Sequence, residues 1–274
     1  MAQPRERSRP VIRLRVLRTE RITPHMIRVV SGGDGLAAFR PNEFTDAYVK
    51  VVFPVPGVTY PEPLDLGTIK AELPSEHWPR LRTYTVRHHD AAAGELAIDF
   101  VHHGDEGLAG PWAANLRPDD ELWLLGPGGA YAPAPDADWH LLVGDESALP
   151  AMSAALEAVP AGAAVRLLAL VEDASEEQAL ATKGDAQVRW LHRADGDDLV
   201  AAVRELDFPE GEVHAFVHGE AGFVKELRRH LLTERGVSKD RLSISGYWRQ
   251  GRTDEVWREE KAAERAAEEG ASVR

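Results

Sequence analysis

The hydrophobic pattern of the chain changes at a proline-rich segment, Y-A-P-A-P-D-A-D at residues 131–138. Before this segment, apolar and polar residues alternate, as in V-I-R-L-R-V-L-R at residues 11–18, which is typical of half-buried strands. After it, short apolar runs alternate with helical stretches, which is typical of a parallel sheet with crossover helices. The pattern therefore predicts two domains of different class, and 274 residues are enough for both.

Six strands are predicted before the proline-rich segment, at residues 11–18, 26–30, 48–53, 82–87, 95–102 and 121–125. The turn residues between them favour a small antiparallel barrel. The polar segment 54–79 is expected to be disordered or a surface excursion near a ligand. Residues 126–129, G-P-G-G, are expected to form a turn that closes the barrel.

Five strands are predicted after that segment, at residues 140–143, 164–171, 187–191, 213–217 and 242–245, with helices at 149–158, 175–181, 197–206 and 221–234. This order predicts a doubly wound parallel sheet. The charged tail, residues 254–269, predicts a helix that stops at Gly270. The expected architecture is thus an antiparallel β-barrel domain (residues 10–131), a parallel-sheet α/β nucleotide-binding domain (139–247), and a C-terminal loop and helix (248–274).

The composition excludes several classes of function. The formal charge of −13 opposes nucleic-acid binding, and the absence of cysteine excludes disulfides, thiolate-bound zinc and iron–sulfur clusters. We expect no metal site at His88-His89 or His102-His103, because neighbouring strand residues point to opposite faces. The sequence contains no apolar run of about 18 residues, so it predicts no membrane span. The arginine-containing N-terminus lacks the apolar stretch of a secretory signal. We therefore expect a cytoplasmic protein without membrane partners.

The segment R-T-Y-T, residues 82–85, alternates a cation and an aromatic ring with hydroxyls along a predicted strand. A flavin dinucleotide needs a cation for its diphosphate, a flat face for its ring and a hydrogen-bond donor for the ring's polar edge. We therefore expect Arg82 to bind a phosphate, Tyr84 to stack on the flavin ring and Thr85 to lie near N5 or O4 of that ring. An ordinary surface strand is the alternative interpretation.

The segment Gly110-Pro111-Trp112-Ala113 predicts a helix start whose amides face a diphosphate. Pro111 suits the first turn, where its missing amide costs nothing, and a plain capped helix is the alternative. Asp145 and Ser147 follow a predicted strand where open α/β sheets bind ligands, although both are also common helix-capping residues.

Two adjacent aromatics, Tyr247 and Trp248, follow the last predicted strand together with Arg249 and Arg252. This arrangement suits stacking on an adenine or another flat ligand, with the guanidiniums recognising negative charge. The alternative is that the aromatic pair anchors the terminal helix.

These segments occur in an order that resembles siderophore-interacting proteins, which are flavin-dependent ferric-siderophore reductases with a fold similar to ferredoxin–NADP reductase. The resemblance rests on R-T-Y-T, D-F-V-H-H-G, G-P-W-A, L-G-P-G-G-A-Y, G-D-E-S-A-L-P-A and S-G-Y-W-R-Q-G-R, and it runs from Val11 to Trp257. It implies FAD and NADPH or NADH as cofactors. The expected cofactor-binding residues are Arg82, Thr83, Tyr84, Thr85, Asp99, Val101, His103, Gly104, Gly110, Pro111, Trp112, Ala113, Asp145, Ser147, Arg193, Tyr247 and Trp248.

The implied reaction carries electrons from the nicotinamide through FAD to a ferric siderophore, whose weaker ferrous complex releases iron; no catalytic acid or base is required of the protein. Lys50, Arg249 and Arg252 are expected to dock the siderophore.

The position of Arg193, after the third strand of the second domain, favours NADPH over NADH by a modest margin. The nearby carboxylates of Glu172 and Asp173 oppose this preference. The alternatives are a flavin-containing siderophore carrier without nicotinamide activity, and the same reductase with a ferredoxin as donor.

Overall fold

The structure, a computed structural model, describes residues 11–272, with side chains up to residue 263. The residues before Val11 and after Ser272, which include the predicted N-terminal arginine-containing segment, lie outside this range. The chain forms two compact units; the first reaches Ala132 and the second begins at Pro133.

The first unit is an antiparallel barrel of six strands: β1 (Ile12–Thr23), β2 (Met26–Gly32), β3 (Tyr48–Phe53), β4 (Arg80–Asp90), β5 (Glu95–Val101) and β6 (Glu121–Gly128). Their order around the closed barrel is β1-β2-β5-β4-β3-β6. Along β1, Leu14 and Val16 are buried in the core while Arg13 and Arg15 are exposed, because successive side chains of a strand point to opposite faces. The predicted antiparallel barrel is confirmed.

Two expectations for the segments that connect the barrel strands are wrong, namely disorder of residues 54–79 and a turn at residues 126–129, whereas a surface excursion near a ligand stays a prediction for the first segment. Residues 54–79 contain a helix, α1 (Leu66–Glu72), whose start is capped by the Asp65 carboxylate, which accepts from the Thr68 amide at 2.8 Å. Residues 126–129 do not form a turn, because β6 continues through Gly128, which pairs with Tyr48 on β3. The Tyr48 ring lies so close to Gly128 that a Cβ there would overlap it, so glycine lets β6 pass beneath the ring.

The second unit is a five-stranded parallel sheet with helices between its strands. The strands are β7 (Trp139–Asp145), β8 (Ala164–Val171), β9 (Asp185–His192), β10 (Val213–Glu220) and β11 (Leu242–Trp248), in the order β11-β10-β7-β8-β9. The helices of this unit are α3 (Leu149–Ala158), α4 (Leu199–Arg204), α5 (Ala221–Arg229) and α6 (Asp254–Ser272), and α2 (Ala109–Asn115) belongs to the barrel unit. The predicted doubly wound parallel sheet is confirmed.

Several helix boundaries differ from the prediction. Residues 175–181 form only a short 3-10 turn, Ala174–Glu176, because the Asp173 carboxylate binds the amide and the hydroxyl of Ser175 at 2.7 and 2.6 Å. The segment predicted at 221–234 is α5 followed by a π-helical turn, His230–Glu234. The terminal helix α6 does not stop at Gly270 but continues to Ser272, since a single glycine weakens a helix by only about 1 kcal/mol.

The order of the parallel sheet reverses between β7 and β10, which pair side by side. Ligands of open α/β sheets bind at such a switch point, outside the carboxyl ends of the strands. Among the residues that the structure describes, none of the helices combines the length and the apolar character that crossing a bilayer requires.

Candidate functional site

The pairing between β4 and β5 is open at one end. Within the described barrel, β4 pairs with β3 from Arg80 to Thr85, but its pairing with β5 begins only at Val86, opposite Ile98. Beyond this pair the two strands carry residues 82–85 on one side and residues 99–101 on the other. Two of the segments predicted to bind the flavin, R-T-Y-T and D-F-V, therefore flank the same opening in the sheet.

Tyr84 is held at this opening by a cluster of aromatic rings. The ring centroids of Tyr84 and Phe100 are 4.3 Å apart, and Trp112 packs edge-on against Phe53 and Phe100 at 5.1 and 5.6 Å. Tyr84 and Trp112 remain partly exposed while they pack against the barrel core. The packing fixes the orientation of Tyr84 and gives Trp112 a structural role beside its expected contact with the cofactor.

The side chains of R-T-Y-T alternate between the two faces of β4. The half-buried Arg82 donates from Nη1 to the carbonyl of Leu81 at 3.0 Å. Thr85 is buried and Thr83 is exposed. Arg82 and Tyr84 thus share one face of the strand, and the two hydroxyls share the other.

The remaining expected residues near the opening have different surroundings. The Asp99 carboxylate is 2% exposed and accepts two hydrogen bonds from Arg28 on β2, at 2.7 and 2.8 Å. This ion pair joins β2 to β5, so the charge of Asp99 is already compensated within the protein. Val101 ends β5, and His103 and Gly104 lie in the exposed loop that follows.

The start of α2 packs directly against the end of β5. A Cβ on Gly110 would lie 2.9 Å from the carbonyl oxygen of Val101, so only glycine permits this approach. The residue before the helix, Leu108, provides no side-chain cap. The first amides of α2 are therefore not bound by a capping side chain, and Pro111 occupies the third position of the helix.

The carboxylate of Asp145 joins three strand ends at the switch point of the second unit. It is fully buried, and Oδ1 accepts from the amide and the hydroxyl of Ser147 at 3.0 and 2.5 Å. Oδ2 accepts from the amide of Glu220 on β10 and from Nε1 of Trp248 on β11, both at 2.8 Å. Burial raises the pKa of Asp145, against the opposing effect of these hydrogen bonds.

Glycine is required beside this carboxylate. Gly219 has a φ of +138°, and a Cβ there would lie 2.6 Å from Oδ2 of Asp145. Trp248 is 39% exposed, so the bond to Asp145 fixes a ring that solvent or a ligand can reach. Tyr247 lies against His218, with ring centroids 4.9 Å apart.

Two sequence models of one family match this chain. The model of the siderophore-interacting FAD-binding domain matches residues 15–131, and the model of the siderophore-interacting protein matches residues 137–251. The ferric vibriobactin reductase of Vibrio cholerae is 33% identical over 252 residues, which are 89% of this chain and 92% of that relative. This chain belongs to the siderophore-interacting protein family.

Further similarities agree with this membership. The NADPH-dependent ferric-chelate reductase of Escherichia coli is 32% identical over 240 residues, 86% of this chain and 91% of that protein. The crystal structure of the siderophore-interacting protein from Aeromonas hydrophila matches with a TM-score of 0.79 and 30% identity, over 93% of this chain and 98% of that one. Ferredoxin–NADP+ reductase from Plasmodium falciparum, with a TM-score of 0.62 and 11% identity over 86% of this chain and 96% of that chain, shares the fold alone. The predicted fold class and the predicted FAD-binding domain are confirmed.

The basic residues expected to dock a siderophore lie in both units of this siderophore-interacting protein. Lys50 is exposed on β3, where it pairs in register with Thr83. Arg252 donates to Glu260 of α6 at 2.8 Å, and Arg249 lies 3.9 Å from the same carboxylate, with its guanidinium over the Trp257 ring. Both arginines remain nearly half exposed while they link the loop after β11 to the terminal helix.

Arg193, expected to bind a 2′-phosphate, contacts carboxylates of the same unit. It follows β9 and binds both oxygens of Glu146, with Nη2 2.7 Å from Oε2. Glu172 lies 4.0 Å from its Nη1. Burial alone would lower the pKa of Arg193, but the hydrogen bonds that it donates to the Glu146 carboxylate raise it.

Sequence reasoning about this family member missed two structural residues. Trp257 is 5% exposed and packs near Gly246, so this residue fixes α6 to the end of β11. The sequence contains a pattern that indicates this role, because Trp257 and Lys261 are four residues apart and therefore lie on the same face of the terminal helix. The partner of Arg193, Glu146, had no such signal, since 47 residues separate the two in the chain. Within the described part of the chain, no group of three or more histidine or acidic residues could hold a metal ion.

Proposed function

We propose that this chain is an FAD-dependent ferric-siderophore reductase that takes its electrons from NADPH or NADH. The observation that carries the proposal is the opening between β4 and β5, which brings R-T-Y-T and D-F-V together in the unit matched by the FAD-binding domain. The names of two relatives, a ferric vibriobactin reductase and an NADPH-dependent ferric-chelate reductase, support the same reaction. We assign FAD binding to residues 10–131 and binding of the nicotinamide dinucleotide to residues 139–247. We also propose that the reaction takes place in the cytoplasm.

The residues at the opening fit a flavin dinucleotide. Arg82 and Tyr84 lie on one face of β4 and Thr83 and Thr85 on the other, so a ligand that contacts all four has to lie along the open strand edge. Tyr84 then provides a flat surface whose position is set by Phe100. When bound, FAD supplies hydride acceptance and single-electron transfer, and these residues bind and orient it.

The diphosphate of the cofactor fits between Arg82 and the start of α2. The guanidinium supplies a permanent positive charge, and the amides of the uncapped first turn supply hydrogen-bond donors. Gly110 keeps this turn against the end of β5. Asp99, whose charge Arg28 compensates, contributes to the position of β5 and not to anion binding.

The nicotinamide dinucleotide fits the switch point between β7 and β10. Ligands of parallel sheets bind at the carboxyl ends of the strands on either side of such a reversal. Ser147, Gly219 and the exposed ring of Trp248 surround Asp145 there. The buried carboxylate holds these groups in place and exposes none of its own charge to the ligand.

The docking of the ferric siderophore is assigned to Lys50, Arg249 and Arg252. All three are exposed, and Arg249 and Arg252 share a single carboxylate, that of Glu260, so positive charge remains to attract an anionic complex.

The test is spectroscopic. The FAD-loaded protein is mixed anaerobically with NADPH or NADH, and the yellow absorbance is expected to bleach. Addition of a ferric siderophore is then expected to restore the colour and to produce ferrous iron that a colorimetric chelator traps. Protein that keeps its colour with both nucleotides but bleaches with reduced ferredoxin is the ferredoxin-dependent form. Protein that binds a ferric siderophore but is bleached by no donor is a carrier, and the proposal fails.

A further inference from the structure

The guanidinium of Arg193 is already bound by a carboxylate of its own unit. Glu146 follows directly after β7, Arg193 follows directly after β9, and the two side chains form a two-pronged ion pair. The side chain of Glu146 is only 9% exposed, and that of Arg193 is 31% exposed. Paired hydrogen bonds between a guanidinium and a carboxylate use the same planar fork that would bind a phosphate.

Further carboxylates contact Arg193 or its neighbour His192. Glu172, at the end of β8, lies 4.0 Å from Arg193. The neighbouring His192 contacts Glu177 and Asp195, at 3.0 and 3.3 Å. A phosphate that approaches Arg193 therefore meets negative charge, and it gains the guanidinium only by replacing Glu146.

We propose that Glu146 is a specificity-determining residue for the dinucleotide. Its carboxylate occupies Arg193 in place of the 2′-phosphate and thereby limits the preference for NADPH over NADH to a modest factor. This inference rests on the proposed function, because it requires a nicotinamide dinucleotide at the switch point.

Glu146 has this role rather than Glu172 for reasons of geometry. Its backbone follows Asp145, whose carboxylate is fixed by hydrogen bonds from Ser147, Glu220 and Trp248. The backbone of Glu146 is therefore held in place. When a 2′-phosphate replaces Glu146 as the partner of Arg193, the side chain that moves is the more exposed one, Arg193. Glu172 is half exposed and makes only the longer contact, so solvent screens it.

The experiment measures binding of the two adenosine halves of the dinucleotides. The dissociation constants of 2′,5′-ADP and 5′-AMP are determined by titration calorimetry with the FAD-loaded full chain. For Glu146→Gln we expect 2′,5′-ADP to bind about tenfold more tightly, with 5′-AMP unchanged, because the 2′-phosphate no longer competes with a carboxylate. For Arg193→Ala we expect the two fragments to bind equally. The double variant is expected to resemble Arg193→Ala.

Glu172→Gln is the matched control, because it removes the same charge from the same site without breaking the two-pronged pair. We expect its effect on 2′,5′-ADP to be no more than about twofold. Arg193→Ala leaves a buried carboxylate unpaired, so the double variant provides the same measurement without that charge.

Three results overturn the inference. They are unchanged binding of 2′,5′-ADP by Glu146→Gln, an equal gain for both fragments, and an effect of Glu172→Gln as large as that of Glu146→Gln. Absence of binding by either fragment overturns it as well. The proposed function fails separately, when neither NADPH nor NADH bleaches the bound flavin, whatever the calorimetry shows.

Discussion

At the scale of single residues, Arg82 makes a contact that a diphosphate can improve on. Its Nη1 donates to the neutral carbonyl of Leu81 at 3.0 Å while the side chain is half buried. A phosphate oxygen adds the attraction of a full negative charge for the guanidinium, which a neutral carbonyl does not offer. Exchange of the carbonyl for a phosphate oxygen therefore favours the bound cofactor.

Replacement of Arg82 by alanine is expected to release FAD. The lost contact contributes about 1.5–3 kcal/mol, which weakens binding by roughly one to two orders of magnitude. The measurement is the ratio of flavin to protein absorbance after gel filtration at low concentration. Arg15→Ala, an exposed arginine of the same barrel, is the control and should keep its flavin. Full occupancy in folded Arg82→Ala would contradict the assignment of the diphosphate to this residue.

Asp145→Asn is expected to destabilise the second unit. An amide nitrogen cannot accept a hydrogen bond, so one oxygen position would face the donors of Glu220 and Trp248, or of Ser147, without accepting from them. The expected loss is about 1–3 kcal/mol in the free energy of unfolding, followed in urea. Ser147→Ala removes one of the four hydrogen bonds and should cost less. Equal stability of Asp145→Asn and the wild type would show that the carboxylate has no such role.

At the scale of elements, α2 depends on one close approach. Gly110 lies against the carbonyl of Val101, and a Cβ would reach within 2.9 Å of that oxygen. Both atoms belong to the backbone or are fixed to it, so the strain cannot be relieved by rotating a side chain. The position of the helix start, and with it the position of its amides, is therefore set by the absence of a side chain at residue 110.

Gly110→Ala is expected to displace α2 from β5 and to weaken both stability and FAD binding. Overpacking of this kind costs about 1–3 kcal/mol. The measurements are thermal unfolding and the dissociation constant of FAD. Ala114→Ser, at an exposed position of the same helix, controls for helix propensity and should change neither by a comparable amount. An FAD affinity equal to that of the wild type would remove the start of α2 from the cofactor site.

The elements with a long repeating pattern could be predicted from the sequence, because their periodicity reports burial directly. The barrel strands, the parallel strands and α3 are of this kind. The sequence predicts a helix at residues 175–181, because the hydrogen bonds between Ser175 and Asp173 that prevent it do not affect the hydrophobic periodicity. R-T-Y-T could be found because its residues are consecutive. The pairs Arg28–Asp99 and Arg193–Glu146 could not, because the two residues of each pair are far apart in the sequence.

At the scale of the whole molecule, three histidines of the parallel sheet have a lowered pKa, because His140 and His218 are buried and His214 is partly buried. Burial lowers the pKa of His140 to about 4 and that of His218 to about 3, and it lowers the pKa of His214 as well. Both ring nitrogens of His140 lack a hydrogen-bond partner among the described residues. The unfolded chain binds protons at these side chains at a higher pH than the folded protein does.

Stability is therefore expected to fall as the pH falls from 6.5 to about 4, where the unfolded state binds more protons than the folded state. His140 and His218 each contribute about 1.4 kcal/mol of this loss per pH unit between the pKa of the unfolded chain and that of the folded protein. Urea unfolding at several pH values measures the slope. His140→Phe should reduce it, whereas His77→Gln, at an exposed histidine, should leave it unchanged. Identical slopes for His140→Phe and the wild type would contradict the effect of burial.

The bond between Trp248 and Asp145 also gives the molecule an optical reporter at its switch point. Of the seven tryptophans in the chain, Trp248 is the most exposed to solvent, and its indole is fixed by a carboxylate rather than free to rotate. A collisional quencher such as acrylamide therefore acts first on this ring. An adenine that stacks on the ring should shield it, so loss of quenching would report occupancy of the site without any label. Trp248→Phe should abolish that change while the remaining fluorescence persists.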